Sequence, residues 1–213
     1  MIELAPSLLA ADMLNLERDI QGMLDNGVDL LHFDVMDAHF VPNLSFGTEL
    51  CREIHQRFPA LRLDVHLMMD QPEKYVAVFA ADGADSLTVH REVQADVTPL
   101  LRQIKELGLR CGLSVKPGTG AETLLPYLDM LDMVLIMTVE PGFGGQAFQP
   151  EQMEKIRLLR SAGFRGVISV DGGVNIENAP LLVSAGANRL VMGTAYFQAG
   201  DQKKVIRAVR SMQ

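Results

Sequence analysis

His32 and Asp34 stand two residues apart inside the apolar run Leu30-Leu31-His32-Phe33-Asp34-Val35-Met36. A second run, Leu63-Asp64-Val65-His66-Leu67-Met68, carries another imidazole. A third, Val167-Ile168-Ser169-Val170-Asp171, ends on another carboxylate. Alternate residues of a strand share a face, which groups His32 with Asp34 and Met36, Asp64 with His66 and Met68, and Ser169 with Asp171. A carboxylate within an apolar run is costly to ionise unless it has a partner. A shared cation removes that cost, and His32, Asp34, His66 and Asp171 can hold one while leaving positions open for substrate. Two imidazoles and two carboxylates suit Zn, Mn, Fe(II) or Co better than Ca or Mg. Asp34 and Asp171, on separate strands, can also take a proton from one face of a bound molecule and return one to the other.

The elements that must position these groups alternate along the chain. Short runs rich in Val, Ile and Leu predict buried parallel strands at residues 4–9, 30–36, 63–68, 86–90, 110–115, 133–139, 166–171 and 189–193. Helical stretches follow each strand, among them residues 14–26, 72–82, 96–107, 151–162 and 202–212. In residues 151–162 the buried stripe is Met153, Ile156 and Leu159, with Lys155, Arg157 and Arg160 off the stripe and free to face water. Gly27, Gly83, Gly108, Gly163 and Gly186 fall where helices should stop. Gly83-Ala84-Asp85 and Gly186-Ala187-Asn188 read as one helix-to-strand turn used twice.

Eight strand–helix units in 213 residues predict a single (β/α)8 TIM barrel spanning residues 1–213. An open doubly wound sheet would need a glycine fingerprint after its first strand, and Pro6-Ser7-Leu8-Leu9-Ala10-Ala11 has none. Ser7, Asp34, His66, His90, Lys116, Glu140, Asp171 and Thr194 lie at or near the C-terminal strand ends, where barrels gather their catalytic groups.

Composition narrows the partners. A net charge of −8 speaks against a nucleic-acid or anionic-membrane surface, so an anionic substrate needs local positive potential from a metal or from backbone amides. The most apolar stretch, residues 133–139, is too short to span a bilayer. Cys51 and Cys111 have no metal-type spacing and read as buried thiols in a reducing cytosol. The start, Met1-Ile2-Glu3-Leu4-Ala5-Pro6, lacks a basic n-region, so a cytoplasmic protein is expected.

Glycine-rich segments predict a second subsite. Gly142-Phe143-Gly144-Gly145, Asp171-Gly172-Gly173 and Gly193-Thr194 follow three consecutive strands. Glycines let backbone amides approach an anion closely, and barrels bind phosphate at their last loops. Strand parity also turns Met36, Met68 and Met137 toward the site, where a methionine collar can exclude water from a reactive intermediate.

The segment from His32 to Asn43, His-Phe-Asp-Val-Met-Asp-Ala-His-Phe-Val-Pro-Asn, resembles the signature of ribulose-phosphate 3-epimerases. So do Val65-His66-Leu67-Met68, the run from Met137 to Gln146, Val170-Asp171-Gly172-Gly173-Val174 and the opening Ala5-Pro6-Ser7-Leu8-Leu9. The resemblance implies a ribulose-phosphate-binding barrel, one divalent transition metal per subunit and a homo-oligomer. It implies interconversion of D-ribulose 5-phosphate and D-xylulose 5-phosphate. By the same resemblance His32, Asp34, His66 and Asp171 ligate the metal, and Asp34 and Asp171 exchange protons. Ser7 and His66 contact substrate, and Gly142 to Gly145, Asp171 to Gly173 and Gly193-Thr194 bind it near its phosphate. Ala38 and Thr194 depart from the usual glycine and from the commoner serine or asparagine.

Four other readings fit parts of the pattern. A 3-epimerase of another ketose phosphate, such as D-allulose 6-phosphate, would keep the same acids. A Schiff-base aldolase would need Lys116, and a metal-free isomerase could use Glu140. A non-catalytic sugar-phosphate sensor is disfavoured by the intact acid pair.

Overall fold

The computed structural model describes residues 2–94 and 96–212. Eight parallel strands form one sheet: β1 (Glu3–Pro6), β2 (Leu30–Met36), β3 (Arg62–Met68), β4 (Ser86–His90), β5 (Arg110–Val115), β6 (Met133–Met137), β7 (Val167–Asp171) and β8 (Arg189–Met192). Their spatial order is β1-β8-β7-β6-β5-β4-β3-β2, and the two ends meet at a parallel bridge between Ser7 and His32. The sheet is therefore a near-closed barrel. Its helices are α1 (Leu16–Asp25), α2 (Thr48–Arg57), α3 (Val76–Ala81), α4 (Thr98–Glu106), α5 (Met153–Ser161), α6 (Ala179–Ala185), α7 (Thr194–Phe197) and α8 (Gln202–Arg210).

Two strands are shorter than their apolar runs suggest. β1 stops at Pro6, and Leu8–Ala10 turn into a 3-10 segment. β6 stops at Met137, and the next residue, Thr138, bonds the carbonyls of Asp171 and Gly172 through its hydroxyl. After β5 the connection is a 3-10 segment, Ala121–Met130, with Pro126 inside it. Proline removes an amide donor and crowds the preceding turn, which disfavours a regular α-helix there. On α5, Ile156 and Leu159 are buried as expected. Lys155 and Arg160 do not simply face water. Lys155 Nζ donates to the carbonyls of Lys116 and Pro117, and Arg160 donates to those of Gly186, Phe164 and Gly166.

The repeated Gly-Ala-Asx turn fixes strand register in both copies. Gly83 and Gly186 take positive φ, 97° and 116°, to end their helices. Ala84 and Ala187 then donate to carbonyls five residues back, Phe79 and Leu182. The side chains of Asp85 and Asn188 each accept from an amide of the preceding strand, Leu63 and Ile168, at 2.7 Å. Each incoming strand is thus pinned at its N-terminal end before its ladder begins, which sets where its C-terminal end emerges.

The main core lies between sheet and helices. Leu31, Phe33, Val35, Val65, Leu67, Val89 and Ile136 cluster with Ile20, Ile54, Phe79, Ile104, Ile156 and Val209 from the helices. The opposite strand faces fill the barrel and are polar for such a site: His32, Asp34, Asp64, His66, Ser86, Thr88, His90, Ser114, Ser169 and Arg189 are all buried. Cys51 and Cys111 are buried and free, and burial pushes both thiols up to about 12. Among the described residues no helix is long and apolar enough to cross a membrane.

Candidate active site and metal centre

The register of β2 against β3 places Asp34 beside His66 and His32 beside Asp64. Side chains that the sequence separates by 32 residues become lateral neighbours on the barrel's inner face. His66 Nδ1 lies 3.0 Å from Asp34 Oδ1, and His32 Nε2 lies 3.2 Å from the same oxygen and 3.8 Å from Asp171 Oδ2. One donor atom from each of His32, Asp34, His66 and Asp171 falls within 4.8 Å of all the others. His32 Nε2 is buried and makes no hydrogen bond. An imidazole nitrogen left unsatisfied between two carboxylates is what a cation would complete, and the donor set matches a metal site.

Electrostatics separate the two acids. Burial raises the proton affinity of Asp34, but the charge of His32, 3.2 Å away, and the hydrogen bond with His66 outweigh it and hold its carboxyl far below the usual range. Ser7 adds a hydroxyl at 2.7 Å from Asp34 Oδ2. Asp171 is pushed up to about 7 by burial and by the charge of Asp34, with His32 opposing. His32 is raised well above the imidazole norm, because Asp34 and Asp64 overcome its burial.

Above this cluster opens a cleft of about 490 Å³. Ser7, Asp34 and Asp171 line it together with Met36, Met68 and Met137. Gly142, Phe143, Gly144 and Gly145, then Gly172 and Gly173, then Gly193 and Thr194 line the remainder. His32 and His66 lie beneath, almost wholly buried. Every site residue expected from the sequence is therefore in or directly under this one cleft. Lys116 is not on its lining: its Nζ sits 3.6 Å over the Phe40 ring and donates to the Phe40 carbonyl. Glu140 is exposed.

Close packing explains two of the glycines. A Cβ on Gly172 would stand 2.6 Å from Val139 Cγ2 and 2.8 Å from Val139 N. One on Gly173 would stand 2.7 Å from Phe148 N. The loops after β6 and β7 can touch only because both residues lack side chains.

Several groups that hold the site stand outside the predicted set. Ser45 Oγ donates to the Asp34 carbonyl at 2.6 Å and accepts from Met36 N, fixing the end of β2. The Thr138 hydroxyl likewise donates to the Asp171 carbonyl at the end of β7. Asn43 reaches 2.7 Å to the Gly142 carbonyl and ties two loops together. Behind the ligands, His32 Nδ1 meets Asp64 at 3.0 Å and His66 Nε2 meets His90 Nε2 at 2.9 Å. The inward parity of Asp64 and the strand-end position of His90 were legible signals. Ser45 and Asn43 lie in loops with no periodicity to mark them.

Residues 3–197 match the ribulose-phosphate 3 epimerase family. The chain belongs to the ribulose-phosphate 3-epimerase family. It is 44% identical over 215 residues to the ribulose-phosphate 3-epimerase of Bacillus subtilis (strain 168), covering 99% of each chain. It is 41% identical to that of Escherichia coli (strain K12), covering 98% of this chain and 94% of the other. Among solved structures, 3-hexulose-6-phosphate synthase from Salmonella typhimurium superposes with a TM-score of 0.74 at 16% identity, covering 99% of this chain and 98% of the other. KGPDC from Streptococcus mutans superposes with a TM-score of 0.71 at 15% identity, covering 100% of this chain and 97% of the other. At such low identity these two structural neighbours speak for the barrel alone.

Proposed function

We propose that this chain is a ribulose-phosphate 3-epimerase that interconverts D-ribulose 5-phosphate and D-xylulose 5-phosphate with Asp34 and Asp171 as its proton-transfer pair. The observation that carries this reading is the pairing of full-length family membership with two carboxylates in one cluster whose proton affinities are pushed apart. Paired acids with divergent environments are how one site runs base and acid chemistry together.

Epimerisation at C3 removes a proton alpha to the C2 carbonyl and returns one on the opposite face. Asp34, held ionised by its histidine and serine contacts, is suited to accept the proton. Asp171, whose carboxyl is held above the ordinary range by burial and the charge of Asp34, is suited to donate on the other side. In the reverse direction the two exchange roles. A divalent transition metal held by His32, Asp34, His66 and Asp171 would supply Lewis-acid stabilisation for the negative charge of the enediolate; we assign Zn, Fe(II), Mn or Co on donor type. Ser7 and His66 both hydrogen-bond Asp34 and orient its carboxyl. Met36, Met68 and Met137 keep bulk water from the enediolate. The glycine segments 142–145 and 172–173, with Gly193 and Thr194, offer backbone amides to the phosphate at the far end of the cleft. The name of a rice relative, 42% identical, includes the words cytoplasmic isoform, and we assign that compartment here.

Turnover of D-ribulose 5-phosphate in heavy water tests the two-acid assignment. Deuterium should appear at C3 of the xylulose product, read by NMR after brief conversion, because the donating carboxyl exchanges with solvent before substrate binds. Substantial retention of the original hydrogen would point to a single base. Parallel assays on D-allulose 6-phosphate identify the better ketose phosphate. A chelator should abolish turnover and a divalent transition metal restore it; full activity in rigorously metal-free protein would sink the metal assignment.

A further inference from the structure

We infer that Asp64 is a positioning residue for the metal site, setting the tautomer and orientation of His32 from the floor of the barrel. This rests on the metal-binding reading of the cluster above it.

The geometry separates the two nitrogens of His32 by task. Nδ1 faces Asp64 Oδ2 at 3.0 Å, while Nε2 faces Asp34 and Asp171 without a hydrogen bond. A carboxylate accepts but does not donate, so Nδ1 carries a proton toward Asp64, and when a cation replaces the proton on Nε2 the lone pair of that nitrogen is the one directed at the cluster. An anionic acceptor behind a ligating imidazole also raises its basicity.

Asp64 is built to stay in place and charged. Ser86 Oγ donates to Oδ1 at 2.5 Å, and Arg189 NH1 lies 3.2 Å from Oδ2. Both Asp64 and Arg189 are 1% exposed. Asp64 is not needed merely to neutralise Arg189, because Glu3 Oε2 already accepts from Arg189 Nε at 3.0 Å and NH2 at 2.8 Å. Glu3 in turn meets Arg62, which reaches Asp29 near the surface. The charged chain from Asp29 to His32 thus runs through the barrel floor, and its last link is the one aimed at the cluster. His66 has a different support: its Nε2 meets the neutral-favouring His90, whose Nδ1 lies 3.1 Å from Glu92.

The test compares Asp64→Leu, Asp64→Asn and Ser86→Ala with the unaltered protein. Zinc affinity is measured by competition with a chromophoric chelator, and the His32 tautomer by side-chain nitrogen-15 NMR of the zinc-loaded protein. Asp64→Leu should weaken zinc binding about 10–100-fold, the usual cost of losing such a support. Asp64→Asn keeps a carbonyl acceptor and should retain the Nδ1–H tautomer with an intermediate loss. Ser86→Ala should lose least. Turnover of Asp64→Asn should recover when zinc is raised to saturation. Zinc affinity of Asp64→Leu and Asp64→Asn within about threefold of the parent, well short of the usual loss, would overturn the inference. So would an Nε2–H tautomer in the unaltered zinc-loaded protein, which decides the matter even if the leucine variant does not fold. Absence of any divalent-ion binding by the unaltered protein would instead refute the metal reading itself.

Discussion

Asp34 and Asp171 are the same residue type near the C-terminal ends of two strands in one barrel, yet the protein treats them as different groups. Asp34 is 3% exposed and enclosed by Ser7, His32 and His66, all within 3.2 Å. Asp171 is 17% exposed and its nearest imidazole nitrogen, His32 Nε2, is 3.8 Å away. The first is driven below the ordinary carboxylate range and the second up to about 7. Their backbones are held alike, by Ser45 and Thr138 hydroxyls on the respective carbonyls. What differs is the number of donors each side chain meets. Acid and base roles here come from neighbours, not from residue identity.

The comparison breaks most sharply if either acid proves dispensable. Asp34→Asn and Asp171→Asn should each lower turnover by about 10²–10⁴-fold, the usual contribution of a general acid or base, with circular dichroism unchanged. Asp34→Asn should be the worse, because it also disturbs both imidazoles. A variant retaining more than about a tenth of the parental rate, far above that range, would remove its residue from the pair.

Ser7 sharpens the contrast, since it belongs to Asp34 alone. A hydrogen bond to a charged group is worth about 1.5–3 kcal/mol, so Ser7→Ala should slow turnover on the order of tenfold. It should also move the acid limb of the pH–rate profile upward, as Asp34 loses a donor. An unchanged limb would show that the hydroxyl does not tune this carboxyl.

The two acids should also leave opposite marks on stability. Asp171 holds its proton in the folded protein up to about 7, far above its unfolded value of 3.8. Its contribution is therefore complete below the unfolded value and is lost as pH rises through about 7. Asp34, depressed when folded, contributes above its unfolded value and loses that contribution only as pH falls below it. Between about pH 5 and 8 Asp171 is the acid of the pair whose contribution varies, and the Asp171→Asn reference subtracts the shifts of His32, His66 and His90, so metal-free protein should lose melting temperature across that window relative to Asp171→Asn. A bound divalent cation favours the carboxylate, so the zinc-induced rise in Tm should grow from about pH 5 to 8. A zinc-induced rise that grows equally in Asp171→Asn would place Asp171 outside the metal set.

The smallest effects concern the loops that follow each acid. After β2, Ala38 takes φ 60°, a left-handed conformation that costs a side-chain-bearing residue about 1–2 kcal/mol. After β7 the corresponding freedom comes from Gly172 and Gly173, at φ 120° and 65°. Gly172→Ala should destabilise by roughly 1–3 kcal/mol, the cost of overpacking against Val139. Ala38→Gly should raise stability by about 1 kcal/mol or less, since backbone freedom in the unfolded chain offsets part of the relief. Loss of stability in Ala38→Gly would mean that the Ala38 methyl has a packing role in this exposed loop.

The sequence alone determined the barrel and the four clustered residues, because both follow from local rules. Strand parity puts His32 with Asp34 and Asp64 with His66 whatever the partner strand, and apolar runs between amphipathic helices leave few ways to close eight strands. The Gly-Ala-Asx turn was visible twice because its chemistry lies within three residues. Which groups support the cluster depends on the closed barrel. That Ser45 and Thr138 hold the ends of β2 and β7, that Arg189 backs Asp64 across the floor, and that Lys155 and Arg160 bind carbonyls instead of water depend on register and loop path. The tertiary structure also decided the chemistry of the two aspartates, because a carboxyl's proton affinity is set by the charges and donors within a few ångströms. Apart from His32, which shares β2 with Asp34, those neighbours come from other strands and loops that the fold brings together.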